Sequence, residues 1–341
     1  MIGIEDSRIS CITHHKVSPD ETEIILSNSI LEYSEESEIN TLKKAFLKPF
    51  MTIAETFEFH HDVDLDYNVL FQIIQNIEMG DDFAEGSYHI LQHLISCSRH
   101  PNIKGGDVFT AMIEEVQYNN QIVDAIGIFK FEEKDQFIDT SVKGNRAHLT
   151  FRKVIGSKKP DKGCLILLTD APYTILIIDN PRRETDYWQN EFINHKPKAD
   201  HVNNTNQTLS MTKEFINSRI TEEFEVSKAD QIDYLNRSVD YFKSHDNFDK
   251  NEFEENVFRD EGVIQSFQEF DQNYRKERDL QSPDHFEISP QAVKKQARAF
   301  KSVLKLDKNF HIYIHGNREW IEQGVDENGR KFYKIYYEKE Q

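Results

Sequence analysis

Three side chains in the first third of the chain have the spacing of a metal-ligand set. His89, His93 and Cys97 lie four residues apart on a predicted helix, and His100 follows, so two or three of them could share one helix face. Their neighbours are apolar, and the sequence links no carboxylate or second histidine pair to them. We therefore predict half-buried helix residues and no cofactor, with metal binding as the open alternative.

A second group has the residue types of a nuclease centre. Asp124 lies on a predicted strand and Glu132-Glu133-Lys134 follows it, a set that could bind Mg²⁺ and position a water. In a chain with 30% charged residues such a set also arises by chance. The sequence has no glycine-rich phosphate loop, no Gly-x-Ser-x-Gly and no His-Glu-x-x-His. We predict that the protein is not an enzyme, and a Mg²⁺-dependent nuclease remains a remote alternative.

The segment 142–162 is basic, with seven Lys or Arg residues and one acid, in a chain whose net charge is −19. Along a predicted strand, Arg146, His148 and Arg152 alternate with apolar residues, so they lie on one face. Such side chains bind DNA by neutralising phosphates. The residues of this segment that we predict to contact DNA are Lys143, Arg146, Arg152, Lys153, Lys158, Lys159 and Lys162.

A second basic face follows Pro290, on a predicted helix that runs to about Leu304. Its Lys and Arg residues recur at helical spacing opposite an apolar stripe, an arrangement that could lie along phosphates. The predicted DNA-contacting residues are Lys294, Lys295, Arg298, Lys301 and Lys305, and Lys308 extends the row. For both patches the alternative is a solvated surface, or pairing with the acidic N-terminal region of this chain or a neighbour.

Composition limits the compartment and the general mode of binding. The first residues are acidic where a signal peptide would be basic, and the longest apolar runs are far too short to cross a bilayer. Three widely spaced cysteines suit a reducing compartment, so we predict a cytoplasmic protein. The net charge of −19 argues against uniform coating of DNA and favours local contacts.

The elements that would position these residues form an α+β pattern. A hairpin is predicted from strands at 9–17 and 23–33, followed by helices over 35–100, the second capped by Asp66. Strands are then predicted at 108–116, 122–131, 147–155, 163–169 and 173–179. The last two do not alternate, which is typical of strands with both faces covered. We expect an antiparallel-rich mixed sheet covered by helices.

The remaining chain is predicted to be a helical region ending in a small antiparallel β-sheet. Helices are predicted at 208–224, 228–244, 253–274 and 290–304, and strands at 310–315, 320–325 and 331–337. Asn328-Gly329 is a strong hairpin signal. The polar stretch 195–207 is the best candidate boundary, so the predicted domains are an α+β domain at 1–195 and a mainly helical domain at 208–341.

Several stretches in the same order resemble the bacterial nucleoid-associated (NdpA-type) family. They are His100-Pro101-Asn102-Ile103-Lys104-Gly105-Gly106-Asp107 with the hairpin to Val123–Lys130, the opening Ile12–Val17 with Ile24–Ser27, Asp161–Ile166, Tyr187-Trp188, and the terminal 310–335 strands. The resemblance covers nearly the whole chain and implies a DNA-associated protein of the bacterial nucleoid. It implies no reaction or cofactor and carries over no residue-level DNA site.

The resulting hypothesis is a non-enzymatic nucleoid-associated protein that binds DNA through local basic patches. The main alternative is a scaffold whose acidic surface meets basic nucleoid proteins without touching DNA. No membrane partner is expected, and the oligomeric state, including a homo-oligomer, stays open.

Overall fold

The computed structural model describes residues 2–17, 30–32, 35–119, 121–144, 146–156, 159–180, 186–278, 280, 283–297, 303–306, 308–314 and 318–339. The chain divides into two compact units, unit 1 at 1–198 and unit 2 at 199–341. The mixed helix and antiparallel strand content confirms the α+β class. Among the described residues, no helix has the length and apolar character needed to span a membrane.

Unit 1 is built on one antiparallel sheet. The strands of the unit are β1 (Ile2–Gly3), β2 (Arg8–Val17), β3 (Phe57–Phe59), β4 (Gly106–Tyr118), β5 (Gln121–Phe131), β6 (Asp135–Lys143), β7 (Arg146–Val154), β8 (Lys162–Leu167), β9 (Thr174–Asp179) and β10 (His195–Pro197). The sheet runs β1-β4-β5-β8-β9-β3-β10, with β2 also paired to β4. Among the described residues, strands β6 and β7 pair with each other as a two-stranded sheet separate from the large one.

Helices cover both faces of this sheet. They are α1 (Glu36–Phe46), α2 (Val69–Glu78), α3 (Phe83–Cys97) and a π-helix at Tyr187–Ile193. Ile128 packs in the cluster under α2, α3 and the π-helix, and its neighbour Phe129 packs in the cluster under α1. Because successive strand residues face opposite ways, β5 has both faces buried from Ala125 to Phe131. The strand β8 is buried throughout, which confirms the non-alternating strand prediction.

In unit 1 one prediction is wrong, one lies largely outside the described residues, and one strand was not predicted. The N-cap of α2 is Asn68, whose side chain accepts from the Phe71 amide, and Asp66 instead lies in a 3₁₀ turn, so the Asp66 prediction is wrong. The predicted strand 23–33 falls largely outside the described residues. Strand β6 was not predicted at all.

Unit 2 is mainly helical around an aromatic core. Its helices are α4 (His201–Asn217), α5 (Arg219–Glu223), α6 (Lys228–Ser244), α7 (Lys250–Val257), α8 (Glu261–Glu277) and α9 (Pro290–Ala297). Its strands pair as β11 (Asn247–Asp249) with β12 (His285–Glu287), β13 (Val303–Leu306) with β14 (Phe310–Tyr313), and β15 (Ile321–Val325) with β16 (Lys331–Ile335). The Asn328-Gly329 hairpin is confirmed, with Gly329 at φ 79°.

Two helix predictions in unit 2 are wrong in extent. The helix expected over 253–274 is two helices, because Arg259 adopts φ 64° and the Asp260 side chain caps a new start at the Val263 amide. The helix expected to reach Leu304 is described only to Ala297, and Leu304 lies in β13. The polar stretch 195–207 forms β10 and the start of α4, which Asp200 caps.

Candidate nucleic-acid interface

Strands β6 and β7 form an exposed hairpin that we call the hairpin arm, residues 135–154. Every residue of the arm from 136 onward whose exposure is described is exposed to solvent. Its nine residue pairs run from Asp135 opposite Val154 to Lys143 opposite Arg146, and Gly144 in the turn has φ 56°. At about 3.3 Å per residue the ribbon is roughly 30 Å long. The arm therefore stands away from the buried sheet.

The pairing register divides the arm into two faces. Alternate residues of one strand share a side, so Arg146, His148, Thr150 and Arg152 lie together on what we call the basic face. Arg152 pairs with Asp139 at 3.2 Å, and both side chains are more than half exposed. The opposite side, which we call the apolar face, carries Ile138, Thr140, Val142, Ala147, Leu149 and Phe151, with the polar pair Gln136 and Lys153 at its root end.

Asp161 holds the root of the arm. Its Oδ2 accepts from the backbone amides of Glu132 at 2.8 Å and Glu133 at 3.3 Å, where the chain leaves β5 to enter the arm. Its own amide donates to the Lys130 carbonyl at 3.0 Å, just before β8 begins. One residue thus ties the segment entering the arm to the segment leaving it.

The structure places the residues of the first predicted patch in three environments. Arg146, Arg152 and Lys153 are exposed on the arm, and Lys143 ends β6 at its tip. Lys159 is exposed near the root, and Lys158 lies outside the described residues. Lys162 is 6% exposed and pairs with Asp179 inside the sheet, so it is placed away from the surface that the prediction required.

Lys162 belongs to a buried polar network below the arm, which sequence reasoning missed. Its neighbour across the ladder is Lys130, which is 1% exposed and donates to the Lys104 carbonyl at 2.6 Å and to the Tyr187 hydroxyl at 3.0 Å. Burial lowers the pKa of Lys130, and the nearby Glu132 carboxylate, 3.0 Å from its Nζ, opposes that shift. Burial also raises the pKa of the Tyr187 hydroxyl. Because Lys130, Lys162 and Tyr187 are all buried, this network belongs to the core of unit 1.

The second predicted patch is dispersed over different elements. Lys294 and Lys295 are exposed near the end of α9, whereas Lys305 is exposed on β13. Arg298 and Lys301 lie outside the described residues. The single helical face that the spacing predicted is therefore not present in the described part of the chain.

The two chemical sets of the sequence do not assemble among the described residues. His93 Nε2 donates to the Phe192 carbonyl at 2.9 Å, so this side of α3 packs against the π-helix. Burial raises the pKa of the Cys97 thiol on the same side of the helix. Within the described ranges, no group of three or more His, Cys, Asp or Glu side chains is placed to hold a metal ion. Asp124 lies on β5 and Glu132 directly follows the end of that strand; eight extended residues span roughly 26 Å, too far for the two carboxylates to share a Mg²⁺.

Fold and surface together define the class of the protein: an α+β protein that presents an exposed basic β-ribbon. The family described as nucleoid-associated protein YejK matches residues 14–338, nearly the whole chain. The chain therefore belongs to this family, which confirms the resemblance seen in the sequence and supports a nucleoid-associated role. No curated protein shows significant sequence similarity to the chain.

Proposed function

We propose that this chain is a non-enzymatic nucleoid-associated protein that binds DNA phosphates through the basic face of the hairpin arm. The observation that carries the proposal is charge placement. Residues 135–154 hold four bases and two acids, while the whole chain has a net charge of −19. The bases of the arm stand on an exposed ribbon, where phosphates can reach them.

The shape of the arm suits a duplex. The major groove of B-DNA, about 12 Å wide, admits a two-stranded β-ribbon. Arg146 near the tip and Arg152 near the root share the basic face, so they can contact phosphates at separate points along the ribbon. The Arg152–Asp139 pair is solvent-exposed, and such a pair contributes little stability, so a phosphate can replace the carboxylate.

The rest of the chain limits how DNA is bound. A net charge of −19 repels a polyanion, which confines DNA contact to local basic groups such as those of the exposed arm. Binding is therefore local and moderate in affinity, with few phosphates neutralised. Contacts to phosphate carry no sequence information, so the basic face by itself gives little base preference.

Charge reversal tests the proposal. The double variant Arg146→Glu/Arg152→Glu, with both changes on the basic face, should weaken binding to a duplex by at least tenfold, and it should make the slope of log affinity against log salt shallower by about 2, because each lost phosphate contact removes about 0.9. Fluorescence anisotropy with a labelled duplex across a salt series measures both. The matched control Lys294→Glu/Lys295→Glu makes the same charge change on α9 and should leave the slope nearly unchanged.

Two results would reject arm-mediated DNA binding. One is an affinity that does not depend on salt, and the other is an equal loss in both charge-reversal variants. Intact DNA after incubation with Mg²⁺ and the protein would support the non-enzymatic part of the proposal, whereas cleavage abolished by Asp124→Ala would contradict it.

A scaffold is the second candidate, favoured by a group of acids beside exposed apolar residues in unit 1. Asp62, Asp64 and Asp66 alternate with Val63 at 77% exposure, and Tyr67 follows at 65%. Such a surface suits a basic nucleoid protein. Purification from a nuclease-treated lysate distinguishes the two candidates, since a scaffold keeps its protein partner after the DNA is removed and an arm-bound DNA complex does not.

A further inference from the structure

The apolar face of the hairpin arm is exposed to solvent in the part of the chain that the structure describes. The exposed fractions are Ile138 61%, Val142 76%, Leu149 63% and Phe151 60%. A two-stranded hairpin with both faces in water is marginally stable at best, and three or more strands or a packing partner are normally required. DNA phosphates on the basic face would not cover the apolar side. This side therefore requires an apolar partner.

The order of side chains along this face makes it complementary to itself. After the polar pair Gln136 with Lys153 at the root, the cross-strand pairs towards the tip are Ile138 with Phe151, Thr140 with Leu149, and Val142 with Ala147. The combined size of the paired apolar side chains therefore decreases from the root towards the tip. If two arms stack face to face in opposite directions about the middle pair, the large pair of one arm meets the small pair of the other. Sheets pack well when large and small residues face each other in this way.

The charges at the two ends of the arm favour the same antiparallel arrangement. The root carries both signs, with Lys134 and Lys153 near Glu133 and Asp135, whereas the tip carries Lys143 and Arg146. Stacking in opposite directions keeps the two basic tips apart and places each one near the mixed charges of the other root. Stacking in the same direction would instead bring two basic tips together, which is unfavourable.

We propose that a second copy of this chain docks on the apolar face, arm against arm and antiparallel. Both copies use the same surface about a twofold axis, so a residue at the root of one arm contacts a residue at the tip of the other and the reverse contact repeats it, as in an isologous interface. Both basic faces then point outwards. This inference goes beyond the proposed function and does not depend on it, because the pairing needs no DNA.

The size of the face sets the strength of the pairing. Four such side chains expose on the order of 400 Å² per chain, so a dimer buries on the order of 800 Å², below the 1,200 to 2,000 Å² of stable complexes. The dimer should therefore be reversible and form at micromolar or higher concentrations. Two chains bound to neighbouring DNA segments, with their apolar faces towards each other, would pair more readily, because tethering raises their effective concentration.

Sedimentation velocity of the full chain without DNA tests the pairing. The wild type should shift from monomer to dimer as concentration rises. Leu149→Lys places a charge in the apolar face and should weaken dimerisation at least tenfold. Thr150→Lys is the matched control: it adds the same charge one residue along the same strand but on the basic face, and it should dimerise like the wild type.

A second pair of variants separates loss of pairing from loss of the arm. Phe151→Thr should weaken the dimer at least tenfold, whereas Phe137→Thr, the same change on the other face of the ribbon, should not. Unchanged circular dichroism of each variant checks that it is folded. A wild type that stays monomeric to about 1 mM, or face-matched variants that dimerise equally, would overturn the inference. DNA binding that survives in monomeric Leu149→Lys leaves the proposed function intact and separates the two proposals.

Discussion

Buried neutral histidines in unit 1 connect single residues to the pH dependence of folding. Burial, with a smaller contribution from the neighbouring His14, lowers the pKa of His15 to about 4, and burial lowers the pKa of His195 to about 4. His15 lies within hydrogen-bond distance of the Ser87 hydroxyl, with Nε2 3.1 Å from the oxygen, and Ser87 donates to the Ala84 carbonyl. Both imidazoles are therefore neutral in the folded protein near pH 7.

We expect the stability of unit 1 to fall as the pH drops from about 6.5 to about 4. In this window the unfolded chain binds protons that the buried rings do not, so each ring removes about 1.4 kcal/mol of the free energy of unfolding per pH unit. The stability that the two neutral histidines contribute is fully present above about pH 6.5. Urea unfolding followed by the fluorescence of buried Trp188 measures this dependence. His15→Gln should flatten it, whereas His89→Gln on the exposed side of α3 should not.

At the scale of residues, the sequence located the basic side chains but did not predict which of them are exposed to solvent. Arg146, Arg152 and Lys153 are exposed, as a DNA-contacting role requires, while Lys162 is buried beside Asp179. All four belong to one basic stretch, and composition cannot tell a lysine on an exposed ribbon from one at the start of a central strand. The position of Lys162 directly before the buried run from Cys164 to Leu167 was the available signal.

At the scale of elements, the root of the arm depends on one carboxylate. Asp161→Ala removes the acceptor for the Glu132 and Glu133 amides. Hydrogen bonds to charged groups contribute about 1.5 to 3 kcal/mol, so these two amides should exchange roughly ten to one hundred times faster. Amide hydrogen exchange of the full chain measures this. Asp139→Ala, on the arm itself, is the control and should leave both amides protected; equal protection in the two variants would show that Asp161 does not hold the root.

We also expect the protein to fold without the arm. Replacing residues 136–153 with Asn-Gly would close Asp135 and Val154 with a two-residue turn. Because every described residue removed is exposed, the midpoint of thermal unfolding should change by no more than a few degrees, while binding to DNA and pairing of copies should both be lost. Loss of cooperative unfolding in the shortened chain would show that the arm is part of the core.

The central strands of the sheet could be predicted from the sequence, whereas only one of the two strands of the arm, β7, was predicted. Strands β5, β8 and β9 follow from long apolar runs, whose burial on both faces is their own signal. Strand β6 alternates only weakly, and its polar residues resemble a loop. The neighbouring Gly144-Asn145 dipeptide, between two β-rich runs, was the hairpin signal that could have identified it. Long helices were overestimated where a capping aspartate restarts the chain, as at Asp260.

At the scale of the whole molecule, each unit has hydrophobic clusters of its own. The clusters under the sheet contain only residues of unit 1, and the aromatic cluster around Phe215 and Phe253 contains only residues of unit 2. We therefore expect fragments 1–198 and 199–341 each to fold alone and unfold cooperatively, measured by circular dichroism during heating. A fragment that fails to fold would show that stability is shared across the division. Phe253→Ala should destabilise fragment 199–341 by about 3 to 5 kcal/mol.

The two-sided arm also restricts how this part of the chain can change length during evolution. In a paired strand, inserting one residue shifts every later side chain to the opposite side. A single-residue insertion near His148 would move basic side chains to the apolar side and apolar side chains to the basic side, whereas a two-residue insertion would lengthen the ribbon and keep both sides. If both faces are under selection, arms of relatives should differ in steps of two residues per strand, and one-residue differences should be confined to the turn.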